Sequence, residues 1–155
     1  MYNTILLSVA LQNWDRYSAH ALAAREVAAV LAKSAENPLH VLSVYDYEVP
    51  PARGLGPEMA ARHRDDLRQR TDSLMERRID ELIAPLKEQG IEVKKLLRVG
   101  NPREVIVQVA LSVMADLLII GSHSKRGVFD IALGGTARRI TSQAPCTVLM
   151  VSPKQ

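Results

Sequence analysis

Residues 91–121 read IEVKKLLRVGNPREVIVQVALSVMADLLIIG. The stretch opens on a segment read as a strand, 91–98. It then changes period at Asn101-Pro102. Asn101 is a helix N-cap, Pro102 takes the first helical position and Glu104 the third. Val105, Ile106, Val109, Ala110 and Val113 then recur at helical spacing, which predicts a helix over 102–114. The run DLLIIG at 116–121 follows, continuously apolar, as suits a strand buried on both faces of a parallel sheet. Strand, helix and strand in 31 residues form one crossover unit.

Outward from this unit the same alternation continues. Strands are expected at 4–10 (TILLSVA), 39–45 (LHVLSVY) and 146–151 (CTVLMV). A helix over 17–34 is expected to turn Ala19, Ala23, Val27, Val30 and Leu31 to the core. A long charged helix over 58–88 carries Leu67, Leu74, Ile79, Leu82 and Leu86, and Pro85 is expected to kink it or end it early. Its leucine stripe is read as packing on its own sheet rather than on a partner. A last helix over 135–143 is stopped by Pro145. The segment 46–57, DYEVPPARGLGP, reads as an irregular loop. Five strands alternating with helices indicate an open α/β parallel sheet with helices on both faces, in a single domain over 1–155.

Composition narrows the function classes. The 155 residues are 47% hydrophobic and 24% charged, ordinary for a soluble globular domain. No run is long enough to span a bilayer, and the start MYNTILLSVAL lacks a basic, cleavable leader. The net charge of +3 comes from acids and bases interleaved along helices, and aromatics are 4%, so nucleic acid is not an expected partner. The lone Cys146 fits a reducing, cytoplasmic setting and is read as a buried, inert thiol. The patterns GxxxxGK[ST], GxGxxG and GxSxG are absent, and no Cys/His cluster suggests a metal. Asp116, at the start of its strand, is read as holding a neighbouring loop in place.

In such sheets ligands bind beyond the carboxyl ends of the strands, where strand order reverses. The loop after residue 121, GSHSKRGVFDIALGGTARR, is therefore the candidate anion loop. His123 is read as a plain loop histidine, since no partner acid or nucleophile stands near it in sequence.

Several segments, taken in order, carry a resemblance: G100-N-P-R-E-V-I, A115-D-L-L-I-I-G-S-H, L133-G and A144-P-C-T-V-L-M-V. Together they resemble the universal stress protein family, over nearly the whole chain. The resemblance implies a Rossmann-like sheet of the adenine nucleotide alpha hydrolase type, with strand order 3-2-1-4-5. It also implies a homodimer through strand 146–151. Members that bind ATP share Gly, two residues, Gly, nine residues, Gly, then Ser or Thr. Gly121 and Gly134 match here, whereas Ser124 replaces the second glycine and Gly135 the hydroxyl residue, with Thr136 directly after. The family tends to carry an Asp at the end of its first strand; here that position is Ala10, and Asp15 in the longer loop LQNWDRY is a substitute.

The resemblance thus implies adenine near Ser8, Val9, Ala10 and Val41. It implies ribose and phosphates along Gly100, Ile120, Gly121, His123, Ser124, Gly134, Gly135 and Thr136, with Mg²⁺ accompanying ATP. A serine forced to positive φ at 124 costs roughly 1–2 kcal/mol. A lost hydroxyl at 135 costs roughly 1.5–3 kcal/mol. Together they weaken ATP roughly a hundredfold or more. Lys125, Arg126, Arg138 and Arg139 keep the region basic. Three readings stay open: a nucleotide-binding stress-response module, a nucleotide-free dimeric interaction protein with a degenerate loop and an unknown protein partner, and a slow ATP hydrolase.

Overall fold

The computed structural model describes residues 1–12, 16–47, 53–121 and 135–154. In chain order the elements are β1 (Ile5–Val9), β2 (Leu11–Gln12), β3 (Arg16–Tyr17), α1 (Ala19–Ala32), β4 (Leu39–Tyr45), α2 (Pro57–Glu88), β5 (Val93–Val99), α3 (Pro102–Ser112), β6 (Leu117–Gly121), α4 (Gly135–Gln143) and β7 (Thr147–Val151). Five strands form one parallel sheet in the order β5-β4-β1-β6-β7. Taken by themselves in chain order, these five stand 3-2-1-4-5. The addition to the expected series is a small antiparallel ribbon, β2–β3, between β1 and α1.

The sheet divides two cores. On one face Ile5, Leu7, Val9, Val41, Leu117 and Ile119 pack under α1 and α2. On the other Leu6, Leu42, Leu118 and Ile120 pack under α3 and α4. Burial on both faces explains why β1 and β6 read as unbroken apolar runs. Each such side chain contributes about 1.5–3 kcal/mol by leaving water.

Three expectations need correction. The core face of α1 is Ala21, Ala24, Ala28 and Ala29, whereas Val30 is 68% exposed and Ala19 is exposed too. Alanines carry too little bulk to mark a face by hydrophobicity, but their smallness lets the helix sit close on the sheet. Pro85 does not end α2, which continues to Glu88. Pro85 lies in the last turn, where buried Leu82, Ile83 and Leu86 offset the ~3 kcal/mol of an interior proline. That turn is closed by a Schellman motif: Gly90, at φ 78°, donates to the Lys87 carbonyl and Ile91 to that of Leu86. Finally, α3 stops at Ser112 rather than 114, because Met114 takes φ 52° and closes a second motif of the same kind. Met114 N–H donates to Leu111 and Ala115 N–H to Ala110.

The expected cap of α3 is present: Asn101 accepts from the Arg103 amide at 2.9 Å. Asp116 does hold a neighbouring segment. Its carboxylate accepts from the amides of Asn3 at 2.8 Å and Thr4 at 3.0 Å, fixing the entry to β1. The stripe Ile79, Leu82 and Leu86 packs on the sheet as expected, and Leu67 and Leu74 are half-buried.

Candidate functional site

Strand order reverses between β1 and β6, so their carboxyl ends bound the crevice in which a ligand of this fold would lie. The register fixes which residues reach that rim. Ser8 stands level with Leu42 and Ile120, Val9 with Ser43, and Gly121 with Val151. Ser8, Val9, Ala10, Ile120 and Gly121 therefore come together, with Ser8, Val9 and Ile120 buried and Ala10 exposed.

Val41 does not reach the rim. It pairs with Leu7, is fully buried, and belongs to the core beneath α1 and α2. Val44 is the β4 residue one step beyond the Val9–Ser43 pair, and it is half-buried. Gly100 follows edge strand β5, three strand spacings or about 14 Å along the sheet from β6. Its φ of 146° favours glycine there, an added Cβ would also stand a tight 3.0 Å from Val105 Cγ2, and its amide donates to the Tyr45 carbonyl at 2.9 Å. Gly135 and Thr136 open α4. His123, Ser124 and Gly134 lie outside the described residues, as does Asp15.

Gly121 is glycine for a reason visible in the packing. A Cβ on it would stand 2.8 Å from the carbonyl carbon of His20 and 2.9 Å from His20 Cβ. The first turn of α1 thus lies directly on the end of β6. That turn is capped by buried Ser18, whose hydroxyl accepts from the Ala21 amide at 3.1 Å.

The electrostatics of the rim are one-sided. Among the described residues, β1, β2, β3, β6 and the first turns of α1 and α4 contain no carboxylate. Arg16 on β3 and Arg138 and Arg139 on α4 are exposed. A helix start favours an anion, and the described carboxylates Asp46 and Asp72 stand to one side of this rim, at the end of β4. An adenosine phosphate fits this donor set. Mg²⁺ finds no described carboxylate here and would be held through phosphate oxygens and water. Among the described residues no three of His, Cys, Asp and Glu converge as a metal site.

Two polar clusters flank the crevice that sequence reading missed. Ser43, fully buried, donates to the Val9 carbonyl at 3.1 Å. Beside it Tyr17 is pushed up to about 12 by burial, an effect the Ser43 hydroxyl partly opposes. A serine in the middle of the largely apolar run LHVLSVY was the available signal, since a buried donor must find an acceptor. At the end of β4, Tyr45 and Tyr47 both donate to Asp72 Oδ1, at 2.6 and 2.7 Å. Their rings meet edge-on at 5.9 Å, and the Arg68 guanidinium lies 5.3 Å from the Tyr47 ring centre. Burial first, and Asp72 next, raise the Tyr45 phenol; Asp72 is the main cause for Tyr47.

The family model for universal stress proteins matches residues 1–152. The chain belongs to the universal stress protein family. It is 28% identical over 90 residues to a universal stress protein of Methanocaldococcus jannaschii, a match covering 58% of this chain and 56% of that protein. It spans about half or less of the length of the first relatives it matches by sequence. In three dimensions, the solved structure of that same Methanocaldococcus jannaschii protein superimposes with TM-score 0.76 at 24% identity, over 100% of this chain and 99% of that one. A universal stress family protein of Arabidopsis thaliana with AMP bound gives TM-score 0.68 at 18% identity, over 97% and 92%. One from Archaeoglobus fulgidus in complex with dAMP gives 0.64 at 20%, over 96% and 97%. These likenesses establish the shared fold.

Proposed function

We propose that this universal stress protein is a cytoplasmic, single-domain binding module that holds an adenine nucleotide, ATP with Mg²⁺, at the carboxyl rim of β1 and β6. The observation that carries the reading is the switch-point rim, free of described carboxylates and bordered by the first turns of α1 and α4. The AMP and dAMP held by the relatives named above support the same ligand class. The base would lie against Ser8, Val9 and Ala10, with Val41 supporting from below. The phosphates would lie along Gly121, His123, Ser124, Gly134, Gly135 and Thr136. On this reading any ATP hydrolysis is slow at most.

A dimer through β7 belongs to this proposal. The two sheet edges differ in character. Edge strand β5 carries Lys94, Lys95 and Arg98, charges that oppose pairing, whereas β7 reads TVLMV without one, and Met150 is 37% exposed.

The nucleotide-free interaction module remains the second reading. Packing against His20 already accounts for the glycine at 121, and Ser124, Gly135 and Ala10 depart from the binding pattern. Calorimetric titration with ATP and Mg²⁺, beside native mass spectrometry, separates the two. A dimer carrying adenine nucleotide, or micromolar affinity, supports the first reading. No heat at millimolar nucleotide overturns it.

A further inference from the structure

The sheet ends on one side at β5, and no described element covers that edge. All seven residues, Val93–Val99, pair in parallel with β4, from Leu39 with Val93 to Tyr45 with Val99. The Leu39 amide donates to the Glu92 carbonyl and the Gly100 amide to that of Tyr45, both at 2.9 Å. Residues of a parallel strand turn their backbone groups alternately to one neighbour and to the other. The even-numbered residues therefore serve β4, and Val93, Lys95, Leu97 and Val99 point their amides and carbonyls away from the sheet. No residue of β5 is buried, whereas every residue of β1 is.

Side chains alternate as well. Val93 and Leu97 pack toward α2, and Lys95 is held there by Glu76 at 2.6 Å and Asp80 at 2.8 Å. Lys94, Leu96 and Arg98 take the other face, where Leu96 packs at the margin of the core under α3. Lys94 and Arg98 are exposed, and among the described residues neither makes an ion pair, not even with Glu92 just before the strand. The Arg98 guanidinium donates instead to the Leu97 carbonyl at 2.8 Å, one of the four that point outward. Two cations without a carboxylate thus stand four residues apart, about 13 Å along the edge, with a half-buried leucine between them.

We infer that β5 takes an added strand from an acidic partner protein, an extended segment with two carboxylate side chains four residues apart and an apolar residue midway. Its backbone pairs with Val93, Lys95, Leu97 and Val99. Its carboxylates meet Lys94 and Arg98, and Arg98 releases the Leu97 carbonyl to the new strand. Strand addition draws affinity from main-chain bonds and specificity from alternate side chains. The charges that oppose pairing with a like-charged strand favour one of opposite sign. A second β5 therefore does not fit this edge, and β7 carries no acid to offer it. The inference does not depend on the nucleotide reading, since β5 and β7 are opposite edges of the sheet and the nucleotide rim lies between them.

The test is titration of the isotope-labelled full chain with the peptide acetyl-TETVTET-amide and its basic counterpart acetyl-TKTVTKT-amide, at one low ionic strength, followed by NMR. The acidic peptide is expected to bind about tenfold or more tighter, since two attractive pairs replace two repulsive ones. It should slow hydrogen exchange at the amides of Val93, Lys95, Leu97 and Val99 and leave those of Lys94, Leu96 and Arg98 as they were. The double variant Lys94→Glu, Arg98→Glu should prefer the basic peptide. Both positions are exposed, and a thermal melt matching the natural chain checks that the variant folds. Peptides bound alike by the natural chain, or neither bound at millimolar concentration, would overturn the inference. Tighter acidic binding without new protection at the four outward amides would exclude strand addition. A preference unchanged in the double variant would remove Lys94 and Arg98 from the recognition.

Discussion

Gly121 and His20 touch at backbone distance: a Cβ added to Gly121 would stand 2.8 Å from the His20 carbonyl carbon and 2.9 Å from its oxygen. Backbone cannot swing aside as a flexible side chain can, so the conflict must shift α1 or the end of β6. Gly121→Ala should therefore destabilise the fold by about 1–3 kcal/mol. Urea unfolding followed by circular dichroism measures it. A loss well below 1 kcal/mol would mean that α1 can retreat and that the glycine is kept for a ligand. The ordering matters, because a binding defect in this variant carries no message about phosphate until its stability is known.

Asp116 ties the start of β6 to the start of β1 through two amides. Asp116→Ala leaves the Asn3 and Thr4 amides without their charged acceptor in a half-buried setting. Hydrogen bonds to charged groups are worth about 1.5–3 kcal/mol, so a loss of roughly 2 kcal/mol is expected. Asp116→Asn, keeping one carbonyl acceptor, should lose about half of that. Equal losses in the two variants would assign the effect to packing rather than to the acceptor.

Met114 is 82% exposed and has φ 52°, a conformation that costs an L-residue about 1–2 kcal/mol. Its amide already serves the closing motif of α3, and the backbone supplies that bond whatever the side chain. Met114→Gly should therefore stabilise the protein by up to about 1 kcal/mol after glycine's greater chain entropy is deducted, raising the Tm by about 2–4 °C. Met114→Ile should lower it. Differential scanning calorimetry decides the sign.

The large elements were legible because their causes are local. The buried runs ILLSV and LLIIG announce strands enclosed on both faces, and Asn101-Pro102 announces the start of α3 in two residues. The ribbon was not legible, since strands of two residues carry no periodicity. Met114 as a helix terminator was hidden because the position calls for glycine and holds another residue. The face of α1 was misread because its contact surface is alanine. At the site, the anchored rim residues Ser8, Val9, Ile120 and Gly121 follow from strand ends. Val41 falls two residues short because the register of β4 on β1 cannot be counted from sequence alone. The Tyr45–Asp72 bond joins residues 27 apart and depends on where α2 crosses the end of β4.

The phenol of Tyr17 gives a pH prediction with a definite sign. Burial raises it from an ordinary 10.0 to about 12, so the folded chain holds this proton more tightly than the unfolded chain does. Between those values the unfolded state binds fewer protons, and stability falls as pH rises. The contribution is fully present below pH 10 and is lost by about pH 12. Tyr45, raised in the same direction by burial and Asp72, adds to the slope. Urea midpoints measured from pH 8 to 11.5 should decline most steeply above 10. Tyr17→Phe should flatten part of that decline while keeping the ring's packing beneath α2. Absorbance near 295 nm offers an independent reading, because the Tyr17 phenolate should form together with unfolding and not before it. A flat stability profile through pH 11, or no difference between Tyr17→Phe and the natural chain, would mean that the hydroxyl reaches solvent and that the ribbon is anchored by its ring alone.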